Sequence, residues 1–115
     1  MRHIKAAKKK AEFDLLLASR SVQAAKMTLP PGATGDDEPS NEHPHSEQWV
    51  FIIAGRGSVR IGKTSRELRR VALGPQSLLL IEKGELHQIK NTGREVLSAI
   101  TFYWPPAYDA AAEPL

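Results

Sequence analysis

From residue 22 onward, apolar and polar side chains alternate along short stretches of the chain, and most of these stretches end at Gly, Pro or Asn. A period of two places neighbouring side chains on opposite faces of a β-strand, and frequent turn residues keep the strands short. The pattern predicts strands over residues 22–29, 48–53, 58–61, 66–73, 77–81, 86–90 and 96–103. About seven or eight short strands at roughly ten-residue spacing are typical of an all-β sandwich or barrel.

One predicted strand lacks the alternation. After Ser77, the stretch from Leu78 to Ile81 is entirely apolar, which is typical of a strand that is covered on both faces. We therefore expect its side chains to be buried, or nearly so, on both sides of the sheet.

The N-terminus carries the one helix-like pattern. Phe13, Leu16 and Leu17 recur at the i, i+3, i+4 spacing of a helical face. A short helix or a strand packed against the barrel would bury these side chains equally well. The predicted organisation has three parts, which are a basic extension, a β-barrel and a flexible C-terminal tail, over residues 1–20, 21–108 and 109–115.

The formal net charge of +3 comes from the first ten residues, which hold five Lys or Arg ahead of the first acidic residue, Glu12. The remainder carries 11 Lys and Arg against 13 Asp and Glu. A basic arm would suit nucleic acid or an anionic membrane. Because no aromatic residues are interleaved with these charges, we favour a solvated terminus and expect no nucleic-acid partner.

The chain contains no cysteine. Disulfides, thiolate zinc sites and thiol nucleophiles are therefore excluded, and a reducing compartment is favoured. The longest apolar runs are far too short to cross a bilayer, and the N-terminus lacks the pattern of a signal peptide. We expect a cytoplasmic protein without a membrane partner.

Two histidines lie in a polar segment rich in Gly and Pro, just before the apolar run that follows Gln48. The spacing there resembles the first motif of the cupin family, G-x5-H-x-H-x3 or x4-E-x6-G. The residues at the motif positions are Gly35, Asn41, His43, Gln48 and Gly55. Asn41 and Gln48 stand where the family has its first His and its Glu.

A second stretch resembles the other cupin motif, G-x5-P-x-G-x2-H-x3-N. Its second half is matched by Gly84, His87 and Asn91. Gln76 and Glu82 stand where the motif has its first Gly and its Pro. The resemblance implies a double-stranded β-helix, which is a jelly-roll barrel built from two sheets.

The resemblance also implies a divalent metal ion (Zn, Mn, Fe or Ni) inside the barrel. Carried over position by position, its ligands are His43, Gln48 and His87, with Asn41 as a weak fourth. Because the register is open by about one residue, Glu42 and His45 are alternates. His43 and His45 would share one side of an extended segment, but the intervening Pro argues against regular strand pairing there.

The departures from the motif change the expected chemistry. An amide oxygen is a neutral and weaker metal ligand than a carboxylate. Two His and one Gln supply no negative charge, so we expect weaker metal binding than in a cupin with Glu, and positions open to water or a ligand. The prediction is a metal-binding protein with a small polar or anionic metabolite in its barrel.

The resemblance allows two functional classes. The first is a metal-dependent oxygenase or an isomerase or lyase, in which Glu42 or His45 would transfer a proton. The alternative is a non-catalytic metabolite-binding, sugar-binding or sensor module without metal. The acidic stretch from Asp36 to Glu38 is expected in a solvated loop. Trp49 and Phe51 share one strand face, and with the aromatic segment after Tyr103 they favour a homodimer.

Overall fold

The computed structural model describes residues 1–6 and 12–115, in which every regular element is a β-strand. The strands are β1 (Phe13–Ala18), β2 (Gln23–Leu29), β3 (Glu47–Ala54), β4 (Gly57–Gly62), β5 (Arg69–Leu73), β6 (Leu78–Ile81), β7 (Leu86–Asn91) and β8 (Leu97–Trp104). One sheet has the order β1-β2-β8-β3-β6 and the other has the order β5-β4-β7. All pairings are antiparallel. The two-sheet all-β prediction is confirmed.

The N-terminal pattern forms a strand and not a helix. β1 pairs with β2 from Phe13 to Ala18, with a register shift between Leu15 and Leu17. Phe13 and Leu15 pack against the buried cluster beneath them. Because the backbone of this stretch is committed to the sheet, a helical face does not form. The lysines at positions 8–10 of the predicted basic extension lie outside the described residues.

The prediction that β6 is buried on both faces is wrong. Ile81 is fully buried, whereas Leu78 and Leu80 are 64% and 37% exposed. β6 is the edge strand of the five-stranded sheet and pairs only with β3. Nothing in the described part of the chain covers the outer face of the sheet there, and an apolar run alone cannot show which of its faces is covered.

The space between the sheets is filled by two side-chain clusters. The larger is aliphatic and consists of Leu29, Val50, Ile52, Val59, Ile61, Leu73, Ile81, Ile89, Leu97 and Ala99. The smaller lies beneath β1 and consists of Ala25, Tyr103, Ala107 and Tyr108. The barrel interior is therefore aliphatic in one region and aromatic in another.

Residues 109–115, predicted as a tail, fold back on themselves. The Leu115 amide donates to the Ala107 carbonyl at 2.9 Å, and Tyr108 forms a β-bridge with Pro114. The buried Gln23 side chain anchors the two residues just before this segment, since its Oε1 accepts from the amides of Ala107 and Tyr108 at 3.0 Å each and its Nε2 donates to the Tyr108 carbonyl at 3.0 Å. The flexibility of residues 109–115 stays a prediction.

Two motif positions have clear structural roles. Asn91 is fully buried, and its Nδ2 donates to the carbonyls of Leu29 at 2.9 Å and Glu95 at 2.7 Å. It therefore joins the end of β2 to the turn after β7. Gln76 has φ +70°, a left-handed conformation that Gly adopts without steric cost. Gln76 occupies the position of a motif Gly. The backbone at that motif position is therefore left-handed, the conformation for which Gly is best suited.

The described residues contain no helix long and apolar enough to span a membrane.

Candidate ligand and metal site

Polar side chains from three directions meet at one end of the barrel. Gln48 begins the inward face of β3 and is paired with Tyr103 near the end of β8. His87 follows the first residue of β7. His43 comes from the loop before β3, where its amide donates to the Asn41 side chain at 2.8 Å. Antiparallel pairing thus brings together residues that are far apart in the sequence.

The two motif histidines lie next to each other. The ring centroids of His43 and His87 are 5.1 Å apart with an interplanar angle of 40°, and these residues are only 5% and 6% exposed. Nδ1 of His87 lies 3.1 Å from the Glu85 carbonyl. A carbonyl only accepts, so this nitrogen carries the proton and Nε2 keeps a free lone pair. Nδ1 of His43 is buried and has no hydrogen-bond partner within the described structure.

The Gln48 amide is hydrogen-bonded to two hydroxyl groups. Its Nε2 donates to the Thr101 hydroxyl at 2.8 Å and to the Tyr103 hydroxyl at 3.3 Å. Both amide hydrogens are therefore committed. Oε1 is left buried and without a donor among the described residues, although Gln48 is only 5% exposed. A buried acceptor without a partner is destabilising by about 1–3 kcal/mol.

The residues that carry these atoms line a cavity of about 180 Å³. Four of the predicted or alternate site residues line it, namely Glu42, His43, Gln48 and His87. The rest of the wall consists of Phe13, Met27, Gly35, Asp36, Val50, Ile89, Thr101, Tyr103, Tyr108 and Ala112. The structure thus brings His43, Gln48 and His87 to one cavity.

Burial keeps the cavity's imidazoles uncharged. Burial lowers the pKa of both histidines, and the proximity of His87 lowers the pKa of His43 further. Burial also raises the pKa of Asp36, and the neighbouring Glu42 carboxylate raises it further. The pKa of the Tyr103 hydroxyl is raised by burial as well. At neutral pH the histidines therefore offer lone pairs and carry no positive charge.

The other predicted residues are placed differently. Asn41 donates to the Glu85 carbonyl at 3.0 Å and accepts from the His43 amide, so it shapes the loop and does not reach the cavity. His45 is exposed and lines a separate depression outside the barrel. The Glu42 carboxylate reaches the cavity and accepts a 2.6 Å hydrogen bond from the Tyr108 hydroxyl.

Two cavity residues gave no signal in the sequence. Asp36 belongs to an acidic stretch that was expected to be solvated, but its loop is held against β7, where the Gly35 amide donates to the Ile89 carbonyl at 2.9 Å. Gln88 also donates to the Asp36 carbonyl at 2.9 Å. Tyr108 lies beyond the last strand, and long-range contacts, among them its hydrogen bonds with Gln23 and Glu42, place it in the wall. Asp37 and Glu38 are exposed as expected, but Asp36 is half-buried because long-range contacts hold its loop against β7.

The donor set limits what the cavity can hold. Across residues 1–6 and 12–115, no group of three or more His, Cys, Asp or Glu side chains is arranged to hold a metal ion. A metal at the two imidazoles would therefore need an uncharged third ligand. The unpartnered Gln48 oxygen is such a ligand, so the residues present fit a weakly held divalent ion.

Comparisons with known proteins agree with this architecture. Residues 25–103 match the family model Cupin_2, described as a cupin domain. The chain is 30% identical over 82 residues to the uncharacterized protein YrkC of Bacillus subtilis (strain 168), covering 70% of this chain and 44% of YrkC. It therefore spans less than half of that curated relative.

Solved structures show the same fold. BH2720 from Bacillus halodurans superposes with a TM-score of 0.81 at 25% identity, covering 94% of this chain and 78% of that protein. An RmlC-like cupin family protein with a double-stranded β-helix fold from Methanocaldococcus jannaschii superposes with a TM-score of 0.71 at 17% identity, covering 91% and 92%. At 17% identity the likeness shows the fold alone.

Proposed function

The chain belongs to the cupin family, and from this we propose that its barrel binds a divalent metal ion and, beside it, a small polar metabolite. His43, Gln48 and His87 would hold the metal. The observation that carries the proposal is a pair of buried polar atoms without a partner in the described structure, Nδ1 of His43 and Oε1 of Gln48, on two residues that line one cavity. Buried polar atoms normally have a partner, and a cation bound there would supply one.

The supporting contacts are those that a metal site needs. The hydrogen bond from His87 to the Glu85 carbonyl fixes the ring and its tautomer, which is the usual second partner of a metal-binding imidazole. The bonds of Gln48 to two hydroxyls hold its side chain in the cavity wall. Imidazole suits Zn, Fe and Ni, while Mn prefers oxygen ligands.

A bound metal would supply Lewis acidity or oxygen activation, as in isomerase, lyase or oxygenase chemistry. The chain itself would supply a proton acceptor, since the Glu42 carboxylate lines the same cavity. Its hydrogen bond from Tyr108 orients it there. Because His45 faces solvent outside the barrel, Glu42 is the better candidate of the two for proton transfer.

Metal content tests the proposal. The purified protein is analysed for metals and titrated calorimetrically with Zn, Mn, Ni and Fe. We expect His43→Ala and His87→Ala to lose binding, while His45→Ala, a change of the same kind two residues from His43, keeps it. Gln48→Glu should bind more tightly because carboxylate adds negative charge, and both hydroxyls can rotate to donate to it. Equal binding by wild type, His43→Ala and His87→Ala would refute the metal site.

The second candidate is a non-catalytic binding or sensor module that holds a metabolite or sugar without metal. It is supported by the neutral donor set, since the described residues offer no three-residue cluster of His and carboxylates. Elemental analysis separates the two candidates. A metal-free protein that still binds a small molecule in the cavity would favour the binding module.

We further propose that two copies pair through the outer face of the five-stranded sheet. The exposed side chains of this outer apolar face are Phe51, Ile53, Leu78, Leu80, Phe102 and Trp104. Strand pairing places them side by side, with Leu78 next to Phe51 and both Leu80 and Phe102 next to Trp49. At 37–64% exposure, they present on the order of 500 Å² if a large side chain contributes about 180 Å². In a standard interface each partner buries roughly 800 Å², of which roughly two thirds is apolar. The exposed apolar area of this face is close to that amount.

Sedimentation tests the homodimer. Phe51 and Val71 are both 39% exposed, but Val71 lies on β5 of the other sheet. Phe51→Asp should convert the dimer to a monomer, and Val71→Asp should not. A monomeric wild-type protein at tens of micromolar, or a dimeric Phe51→Asp variant, would exclude this interface.

A cytoplasmic location is part of the proposal. It is supported by the absence of cysteine from all 115 residues, which suits a reducing compartment. Fractionation of the cells that make the protein would test it.

A further inference from the structure

The charge of the cavity wall points to the kind of ligand it takes. Two carboxylates, Asp36 and Glu42, line the cavity, and no lysine or arginine of the described chain does. Two further polar atoms of wall residues, His43 Nδ1 and Gln48 Oε1, are buried without a partner in the described structure. The Gln48 oxygen is an acceptor, and Nε2 of His87 is a second one because the other nitrogen of that ring carries the proton. The hydroxyls of Thr101 and Tyr103 can donate or accept, so the charge of the wall comes from the two carboxylates.

Aromatic rings form one side of the same cavity. The Tyr108 ring centroid lies 5.1 Å from that of Phe13 and 5.2 Å from that of Tyr103. The His43 ring is 5.0 Å from Tyr103 in an edge-on arrangement. The faces of Phe and Tyr rings attract cations, and clusters of such rings recognise quaternary ammonium groups.

We propose that the small molecule bound in this cavity carries an ammonium group, held between the Asp36 and Glu42 carboxylates and the aromatic rings. This deepens the proposed function and rests on it in one respect, that the cavity is the ligand site. It does not depend on a metal. The apolar part of the ligand would lie against Met27 and Ile89, which also line the cavity.

A cation also accounts for the crowding of the two carboxylates. After burial, the largest influence on the pKa of Asp36 is the like charge of Glu42, which raises it. A positive group between them would relieve that repulsion. A free anion would meet both carboxylates and no lysine or arginine of the described chain in the cavity wall, which disfavours the anionic metabolite expected from the sequence unless the molecule also carries an ammonium group.

The cavity volume limits the size of the ligand. A cavity of about 150 Å³ holds benzene, so one of about 180 Å³ suits roughly six to eight non-hydrogen atoms. Choline is of this size. Its neutral isostere 3,3-dimethylbutan-1-ol has the same shape without the charge, which gives a matched pair of probes. Butyrate provides a small anionic probe.

Binding of the three probes is measured by calorimetry and by NMR shifts of the cavity residues, in EDTA and again with Zn. We expect choline to bind at least tenfold more tightly than 3,3-dimethylbutan-1-ol in EDTA, with no binding of butyrate. Asp36→Asn and Glu42→Gln should each weaken choline binding several-fold and leave the neutral probe unchanged. Asp37→Asn removes the same charge from a neighbouring exposed residue that does not line the cavity, and should change neither.

Equal binding of choline and its neutral isostere would overturn the inference, and so would binding of none of the three probes. An undiminished preference for choline in both Asp36→Asn and Glu42→Gln would overturn it as well. The two proposals fail separately. Choline binding in EDTA by a protein that takes up no metal refutes the metal site alone, and metal uptake without a preference for choline refutes the ammonium ligand alone.

Discussion

The two ends of the barrel interior are built from the same strands but from different chemistry. The aliphatic end holds the large cluster around Ile52 and Leu97. The polar end holds the two histidines, Gln48 and the tyrosines around the cavity. The inward side chains of β3 are, in order, Gln48, Val50 and Ile52. This one strand therefore contributes a polar residue to the cavity end and an aliphatic residue to the other end.

The contrast shows how stability and binding are divided within one small domain. At the aliphatic end, the apolar side chains of the large cluster are buried against one another. Three buried side-chain atoms lack a hydrogen-bond partner within the described structure, and two of them, His43 Nδ1 and Gln48 Oε1, belong to the polar end, while the third is Thr28 Oγ1. Such atoms are destabilising by about 1–3 kcal/mol each, so the aliphatic end must offset the cost of a cavity kept ready for a ligand.

The largest effect is expected at the aliphatic end. Ile52 is 1% exposed, and Ile52→Ala should lower the free energy of unfolding by about 2–5 kcal/mol because it removes buried methyl groups and leaves a cavity. Val71 is 39% exposed on β5 of the other sheet, so Val71→Ala serves as the control. Urea unfolding measures both. A loss below about 1 kcal/mol for Ile52→Ala would contradict this assignment of the core.

A smaller loss is expected where the polar end is anchored. Gln23→Leu removes the hydrogen bonds to Ala107 and Tyr108, leaving buried backbone groups unpaired at about 1–3 kcal/mol for such a group. We expect a loss of about 2–3 kcal/mol in urea unfolding, together with exposure of the aromatic cluster, detected by tyrosine fluorescence. Gln88→Leu, which removes a single hydrogen bond, should cost less. Equal losses would show that Gln23 does not anchor this segment.

The pH dependence of stability is a further difference between the two ends. Three of the groups with shifted pKa values, His43, His87 and Asp36, lie at the polar end. The pKa of His43 and His87 is lowered from the ordinary 6.5, so below that pH the unfolded chain binds more protons and stability falls. Thermal unfolding should show a lower Tm at about pH 5.5 than at about pH 7.5. The raised pKa of Asp36 acts in the opposite direction at lower pH.

Substitutions show which histidines cause the fall in Tm at low pH. His43→Gln and His87→Gln should each flatten the fall in Tm, because the substituted side chain no longer binds a proton. His45→Gln, at an exposed position outside the cavity, should leave the fall unchanged. If His45→Gln flattens it and the other two do not, the buried histidines are not its source.

The smallest effect is expected away from both ends, at a backbone position. Gln76 has φ +70°, where a residue with a Cβ is strained by roughly 1–2 kcal/mol. Gln76→Gly relieves this strain. It also raises the conformational entropy of the unfolded chain, which lowers the free energy of unfolding by about 0.4–1 kcal/mol. We expect a net gain of up to about 1 kcal/mol by urea unfolding, and no gain for Gln76→Ala. A loss for the Gly variant would contradict this account.

The sequence predicted most of the fold because a period of two and frequent turn residues are local signals. The resemblance to the two cupin motifs also implied that His43 and His87 meet, and their ring centroids lie 5.1 Å apart. Tyr108 and Asp36 could not be assigned to the cavity, because contacts far away in the chain position them. The exposure of Leu78 was missed for a similar reason, since composition does not show which sheet face lacks a cover.

Asn91 has a consequence for the chemical ageing of the protein. Its amide nitrogen donates to two backbone carbonyls, while its oxygen accepts from the Gly93 amide. Deamidation would exchange that nitrogen for an oxygen of nearly the same size and place a negative charge against both carbonyls. Hydrolysis at a single atom would thus separate β2 from the turn after β7, although the shape of the side chain would hardly change.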